Sequence, residues 1–156
     1  MGAANRIGKV LKLVMAFMLT TALFAPTHAS AAANSCPKWE PLLAQHFPPK
    51  VVPVMSRIMY RESRCTPQAI GWNYHPGTTH KDCKLSPAFT YKKCNAIKSY
   101  DIGLMQINSS WVTVTRALCK KQDTMKALLT PQCNVKVAQY LYRNGGLGHW
   151  RATSGK

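Results

Sequence analysis

From Pro37 to Gly146 the apolar residues recur mostly at intervals of three and four, the period of helices that turn one face inward. Trp39, Leu42, Leu43 and His46 set a first packing helix over 37–47, which Pro48 and Pro49 end. A second helix starts at or after Pro53, carries Met55, Ile58 and Met59 on one face, and cannot run far past Cys65 because Pro67 follows. Ser109 and Ser110 are placed to cap a third, with Trp111, Val114 and Leu118 inward and Lys120 and Lys121 near its end. Met125, Leu128 and Leu129 mark a short helical turn. Thr130-Pro131 then opens a last helix striped by Val135, Ala138 and Tyr142 with Leu141 beside it, and Asn144-Gly145-Gly146 stops it.

Neither period holds from Thr66 to Tyr100, where Gly71, Pro76, Gly77 and Pro87 interrupt the chain. An irregular loop with room for a short hairpin is expected there, long enough to need either a function or a tether. Its aromatic residues, Trp72, Tyr74, Phe89 and Tyr91, suit stacking on sugar rings or forming a small core of the loop. The fold class expected is mainly α, of α+β type, with four or five helices around this centre.

The first 33 residues follow another pattern. Arg6, Lys9 and Lys12 precede an apolar run from Leu13 to Ala25, and Thr27-His28-Ala29 or Ala31-Ala32-Ala33 offers small residues for cleavage. This is the layout of a secretory signal peptide over 1–33, leaving 34–156 as one domain exported to the periplasm or cell wall. An uncleaved anchor is the alternative, but the run is short for a membrane span and is interrupted by Thr20, Thr21 and Pro26.

Export changes the reading of the cysteines. Cys36, Cys65, Cys83, Cys94, Cys119 and Cys133 all follow residue 33, an even number in an exported chain, and are read as three disulfides. Six cysteines allow 15 pairings, among which the sequence does not choose. The expected set is Cys36 with Cys65, Cys83 with Cys94, and Cys119 with Cys133, the last closing a loop worth roughly 3 kcal/mol. No Cys-x-x-Cys or His-Glu-x-x-His spacing points to a metal.

Charge narrows the partner. Cleavage would remove three of 21 basic residues and none of five acidic ones, leaving eighteen against five, a net charge of +13. Outside the inner membrane such a chain meets lipid surfaces and anionic polymers, of which peptidoglycan, with its free peptide carboxylates, is the obvious one. No helix-turn-helix, zinc-finger spacing or basic repeat points to nucleic acid.

Against that background Glu62 stands out. It shares the apolar stripe of Met55, Ile58 and Met59, while Arg57, Arg61 and Arg64 fall on other faces. A carboxyl set against apolar groups holds its proton to higher pH, as a general acid near neutrality requires. The plainer reading is a core-edge Glu capped by a backbone or arginine donor. A second stretch, Asp101-Ile102-Gly103-Leu104-Met105-Gln106-Ile107-Asn108-Ser109, sets polar groups between apolar ones. Gly103 permits close backbone approach, Gln106 and Asn108 pair donor with acceptor as sugar hydroxyls and N-acetyl groups demand, and Asp101 adds a second carboxylate.

Glu62-Ser63 at a helix end, the Asp101–Ser109 run, and a later helix beginning near Asn134-Val135 resemble the lysozyme-like lytic transglycosylases, over roughly residues 37–150. The resemblance is strongest to the small specialised members that accompany conjugation and secretion machines. It implies the same helical architecture, Glu62 and Asp101 as catalytic residues, and glycan contacts from Ser63, Gly103, Leu104, Met105, Gln106 and Asn108. Two features depart from the family: the interval from Glu62 to Asp101 is long, and the usual Ala-Tyr-Asn motif has no match. Tyr140 or Tyr142 is the expected substitute, and Tyr142 is taken as substrate-binding.

The implied reaction cleaves the β-1,4 bond between N-acetylmuramic acid and N-acetylglucosamine without a cofactor, leaving a 1,6-anhydromuramyl end. A hydrolytic lysozyme using Glu62 and Asp101 is the main alternative. A non-catalytic wall-binding module and a cationic membrane-active protein are the others. Partners are peptidoglycan strands and, by the same resemblance, components of a secretion or conjugation apparatus; a monomer is expected.

Overall fold

The structure, a computed structural model, describes residues 34–83 and 94–155. The expected signal peptide lies outside them, as do Pro87, Phe89 and Tyr91 of the long loop and the side chain of Asp82.

Helices dominate, in the order the spacing predicts. The first is divided: a 3-10 turn over Pro37–Trp39 leads into α1 (Glu40–Ala44). Helix α2 (Val52–Ser63) carries Pro53 in its first turn, where a missing amide hydrogen costs nothing. After the sheet come a 3-10 turn (Ser109–Trp111), α3 (Val112–Cys119), α4 (Thr124–Leu128) and α5 (Pro131–Gly145), then a 3-10 segment over Gly146–Trp150. The cap before α3 differs from expectation. Asn108, not Ser109 or Ser110, is the cap, accepting from the Ser110 amide at 3.0 Å, while the Ser109 hydroxyl accepts from the Tyr100 amide across the sheet.

The hairpin reaches further than a loop over 66–100 implies. Strand β1 (Ile70–Tyr74) pairs antiparallel with β2 (Ile97–Ile102), and β2 with the short β3 (Ile107–Asn108), in the order β1-β2-β3. Gly71 faces Asp101, and Asp101 in turn faces Asn108. The stretch with polar groups between apolar ones is therefore a strand, a tight turn and a second strand. Strand β2 escaped the pattern because its sequence Ile-Lys-Ser-Tyr-Asp-Ile is mostly half-buried, with no clean inward face until Ile102. Trp72 faces Tyr100 across β1 and β2, with ring centroids 5.7 Å apart, which makes this pair part of the hairpin's own packing.

One core joins helices and sheet. Leu43, Met55, Met59, Leu104, Met105 and Val135 are each fully buried within it. The three expected disulfides are present. Cys36–Cys65 has the largest effect on the course of α2, because that helix ends in two successive left-handed residues, Arg64 (φ 53°) and Cys65 (φ 63°). That conformation costs a non-glycine residue about 1–2 kcal/mol. The disulfide, a 3.0 Å bond from the Trp39 indole to the Cys65 carbonyl, and the Arg64 amide on the Tyr60 carbonyl offset it. The end of α2, with Glu62 on it, is thereby fixed in direction.

Candidate active site

Glu62 is the penultimate residue of α2 and half-buried. Burial pushes its pKa above the ordinary carboxylate value; a hydrogen bond from the Thr153 hydroxyl opposes this, and the charge of Asp101 adds to it. The helix face supplies the burial, since Met55, Ile58 and Met59 on the same stripe are in the core. The acid is thus kept protonated further up the pH scale than a surface glutamate.

Asp101 is held differently. One of its oxygens accepts the side-chain amide of Asn108 and the other that of Asn73, each at 2.8 Å. Both asparagines also donate to the Ser99 hydroxyl at 3.2 Å. The antiparallel register explains the cluster: Asn108 lies directly across from Asp101, and Asn73 across from Ser99, the position two before it. Two amide donors on one carboxylate spread its charge and fix its plane. The site therefore presents one acid biased towards its protonated form and one braced as an acceptor.

The turn from Gly103 to Gln106 joins these halves. Gly103 (φ 74°) and Gln106 (φ 46°) are both left-handed. The Gly103 amide donates to the Ala69 carbonyl at 2.8 Å, and the Gln106 side chain donates to the carbonyls of Gly103 and Ala69. The buried Ser63 hydroxyl donates to the Leu104 carbonyl at 2.9 Å, tying α2 to the turn one residue beyond Glu62. From the other side Asn134, fully buried on α5, accepts from the Met105 amide and donates to the Ile102 and Leu128 carbonyls. The Trp150 indole donates to the Met105 carbonyl at 3.0 Å.

Glu62, Ser63, Asp101 and the residues from Gly103 to Asn108 are thereby brought together at the end of α2, while Tyr142 sits on α5. Its ring packs edge-on against Phe47 at 5.6 Å, and Tyr140 is exposed on the same helix. The side chain on the Glu62 carboxylate is Thr153. Ser63, Gly103, Leu104, Met105, Gln106 and Asn108 all make bonds that hold the turn and strands in shape, and Leu104 and Met105 keep their side chains wholly inside. Sequence reasoning gave no role to Asn73, Trp150 or Thr153, and took Asn134 only as a mark of the last helix. Asn134 did carry a signal, the one that exposed Glu62: it shares an apolar stripe, that of Ala138 and Leu141.

A concavity of about 560 Å³ lies between α3, α4 and α5, floored by Leu118, Ala127 and the Cys119–Cys133 bridge and edged by Lys121 and Lys136. It includes neither Glu62 nor Asp101, so the chemistry of the acid pair, not the volume of a cavity, locates the site.

Residues 49–151 match the transglycosylase SLT domain. The chain belongs to that family. The match runs from the residues before α2 to just past Trp150 and so takes in the acid pair, the turn and Asn134. Neither the curated proteins nor the solved structures provide a match. Membership makes the chain a peptidoglycan-acting domain of lytic-transglycosylase or lysozyme-like type.

Proposed function

We propose that this SLT domain is a lytic transglycosylase that cleaves the β-1,4 bond between N-acetylmuramic acid and N-acetylglucosamine and leaves a 1,6-anhydromuramyl end. The observation that carries the reading is the half-buried Glu62, whose pKa burial raises, beside an Asp101 charge braced by two amides. Protonated Glu62 donates to the bridging oxygen as the bond to C1 breaks. The carboxylate so formed takes the proton of the muramyl C6 hydroxyl, whose oxygen closes on C1. No water is consumed and the acid is regenerated. In this reading the charge of Asp101 stabilises the cation developing at C1.

A retaining hydrolase would instead use Asp101 as nucleophile. A hydrogen-bonded aspartate serves either path, as it does in lysozyme; the match to a transglycosylase domain favours the first. Release of soluble fragments from purified peptidoglycan tests activity as such, with Glu62→Gln as control. A wall-binding module gives no release with either form, and a membrane-active protein lyses liposomes with both. Release by wild type alone, ending in anhydromuramyl sugars, is the expected result.

We assign residues 1–33 to a signal peptide and the domain to the periplasm or cell wall, supported by the basic start, apolar run and small-residue sites, and by an even set of cysteines that pair. The resemblance to members serving conjugation and secretion machines supports local wall opening for such an apparatus. Deleting the gene should then impair secretion or DNA transfer, and wild type but not Glu62→Gln should restore it.

A further inference from the structure

The turn after Trp150 is tied at three points. The Trp150 indole donates to the Met105 carbonyl of the motif turn. The Trp150 carbonyl accepts from the amides of Thr153 (3.0 Å) and Ser154 (2.7 Å), folding the chain back on itself. Arg61, next to the acid on α2, donates to the Thr153 carbonyl at 2.7 Å. Two of these ties reach the elements that carry the acid and the motif, so the turn moves with the site. Their joint product is the placement of one hydroxyl: Thr153 Oγ1 contacts Glu62 Oε1 and also lies 3.3 Å from the Trp150 carbonyl.

We propose that Thr153 is a positioning residue for Glu62, a hydroxyl rotor that serves the carboxyl in both of its protonation states. This rests on the reading of Glu62 as general acid. A hydroxyl has one hydrogen to give and can accept in return. When Glu62 is ionised, Thr153 donates to it. When Glu62 carries its proton, the Thr153 hydrogen turns to the Trp150 carbonyl and the Glu62 hydroxyl donates to Thr153. In both states the Thr153 hydroxyl and Glu62 Oε1 keep a hydrogen bond to each other while the proton leaves and returns. The bond to the ionised form is the stronger, so on balance Thr153 limits how far burial raises the pKa.

The charged groups about the pair are Asp101 on β2, which adds like charge, Arg61 on α2, bonded to the Thr153 carbonyl, and Arg151, exposed on the turn itself. None of them substitutes for a hydroxyl that both gives and accepts.

The test is the titration of the Glu62 side-chain carboxyl by carbon NMR in the full chain, in wild type, Thr153→Val and Thr153→Ser, alongside pH profiles of peptidoglycan cleavage. Valine keeps the shape and loses the hydroxyl; serine keeps the hydroxyl. In Thr153→Val the Glu62 midpoint should move to higher pH and the alkaline limb of the profile with it. Turnover should fall about tenfold with KM little changed, a part of the roughly 10²- to 10⁴-fold that a general acid contributes. Thr153→Ser should restore both. A Glu62 midpoint unmoved in Thr153→Val overturns the proposal, as does a serine variant that behaves like valine. Should the valine variant fail to fold, Thr153→Ala gives the same comparison. The titration needs no activity: a wild type that cleaves nothing defeats the general-acid reading, whereas an unmoved midpoint defeats only the role of Thr153.

Discussion

Gly103 packs so closely against Asn134 that a β-carbon on the glycine would overlap the asparagine side-chain amide. It would also meet the Leu128 carbonyl, at a backbone position with φ 74° that side chains rarely adopt. The contact is the hinge of the site's architecture, because the same Asn134 side chain holds both ends of the turn between Asp101 and Asn108.

Asn134→Leu should therefore be costly despite its similar volume. It strands the Met105 amide and the Ile102 and Leu128 carbonyls, all bonded to a fully buried side chain. At about 1–3 kcal/mol for each buried group left unpaired, a loss of about 3 kcal/mol or more is expected in denaturant unfolding. A loss under about 1 kcal/mol would show that the turn does not depend on Asn134.

Glu62→Gln should separate chemistry from stability. Turnover should fall by about 10²- to 10⁴-fold, the contribution of a general acid. Stability should move the other way with pH. Burial raises the Glu62 pKa in the folded state, so the stability this group contributes is full below its unfolded value and is lost as pH rises through the folded one. Glutamine titrates in neither state. The melting temperature of the variant relative to wild type should thus climb from acid to neutral pH, and a difference constant with pH would contradict the raised pKa.

Asp101→Asn should be milder than loss of the acid. It sets a third amide among those of Asn73 and Asn108 and removes the charge, with an expected fall in turnover of about 10²-fold, as for the loss of one electrostatic stabiliser. Product ends should remain anhydromuramyl. A glycosyl adduct trapped on Asp101 and seen by mass spectrometry would instead make it a nucleophile.

Removing the Cys36–Cys65 bridge with paired alanines should lower stability by about 3–4 kcal/mol in the chain-entropy treatment, given its sequence separation of 29. Activity measured well below the melting temperature should fall as well, since the bridge helps hold the two left-handed residues after Glu62. Full activity in the folded variant would show that the helix end is fixed without it.

The helices and the acid were legible because each is a local pattern. Three- and four-residue spacing located α2, α3 and α5, and the same spacing exposed Glu62 as an acid on an apolar stripe. What escaped was set by distance along the chain. Thr153 lies 91 residues from Glu62 and Asn73 lies 28 from Asp101, and no local pattern announces either bond. Structural bonds of the expected site residues escaped for a related reason. Gln106 and Asn108 have the groups to read a sugar, and their side-chain amides also hold the tight turn and the helix cap behind it. Tyr142, expected in place of the missing tyrosine motif, packs edge-on against Phe47 from the stripe of α5 that the spacing located.

The most direct test of the central proposal is the mass of the sugar ends released from purified peptidoglycan by the oxidised domain. Intramolecular closure at C1 predicts fragments lighter by one water than hydrolysis would give, absent with Glu62→Gln. Reducing ends at the full hydrolysis mass would contradict it and make the domain a lysozyme.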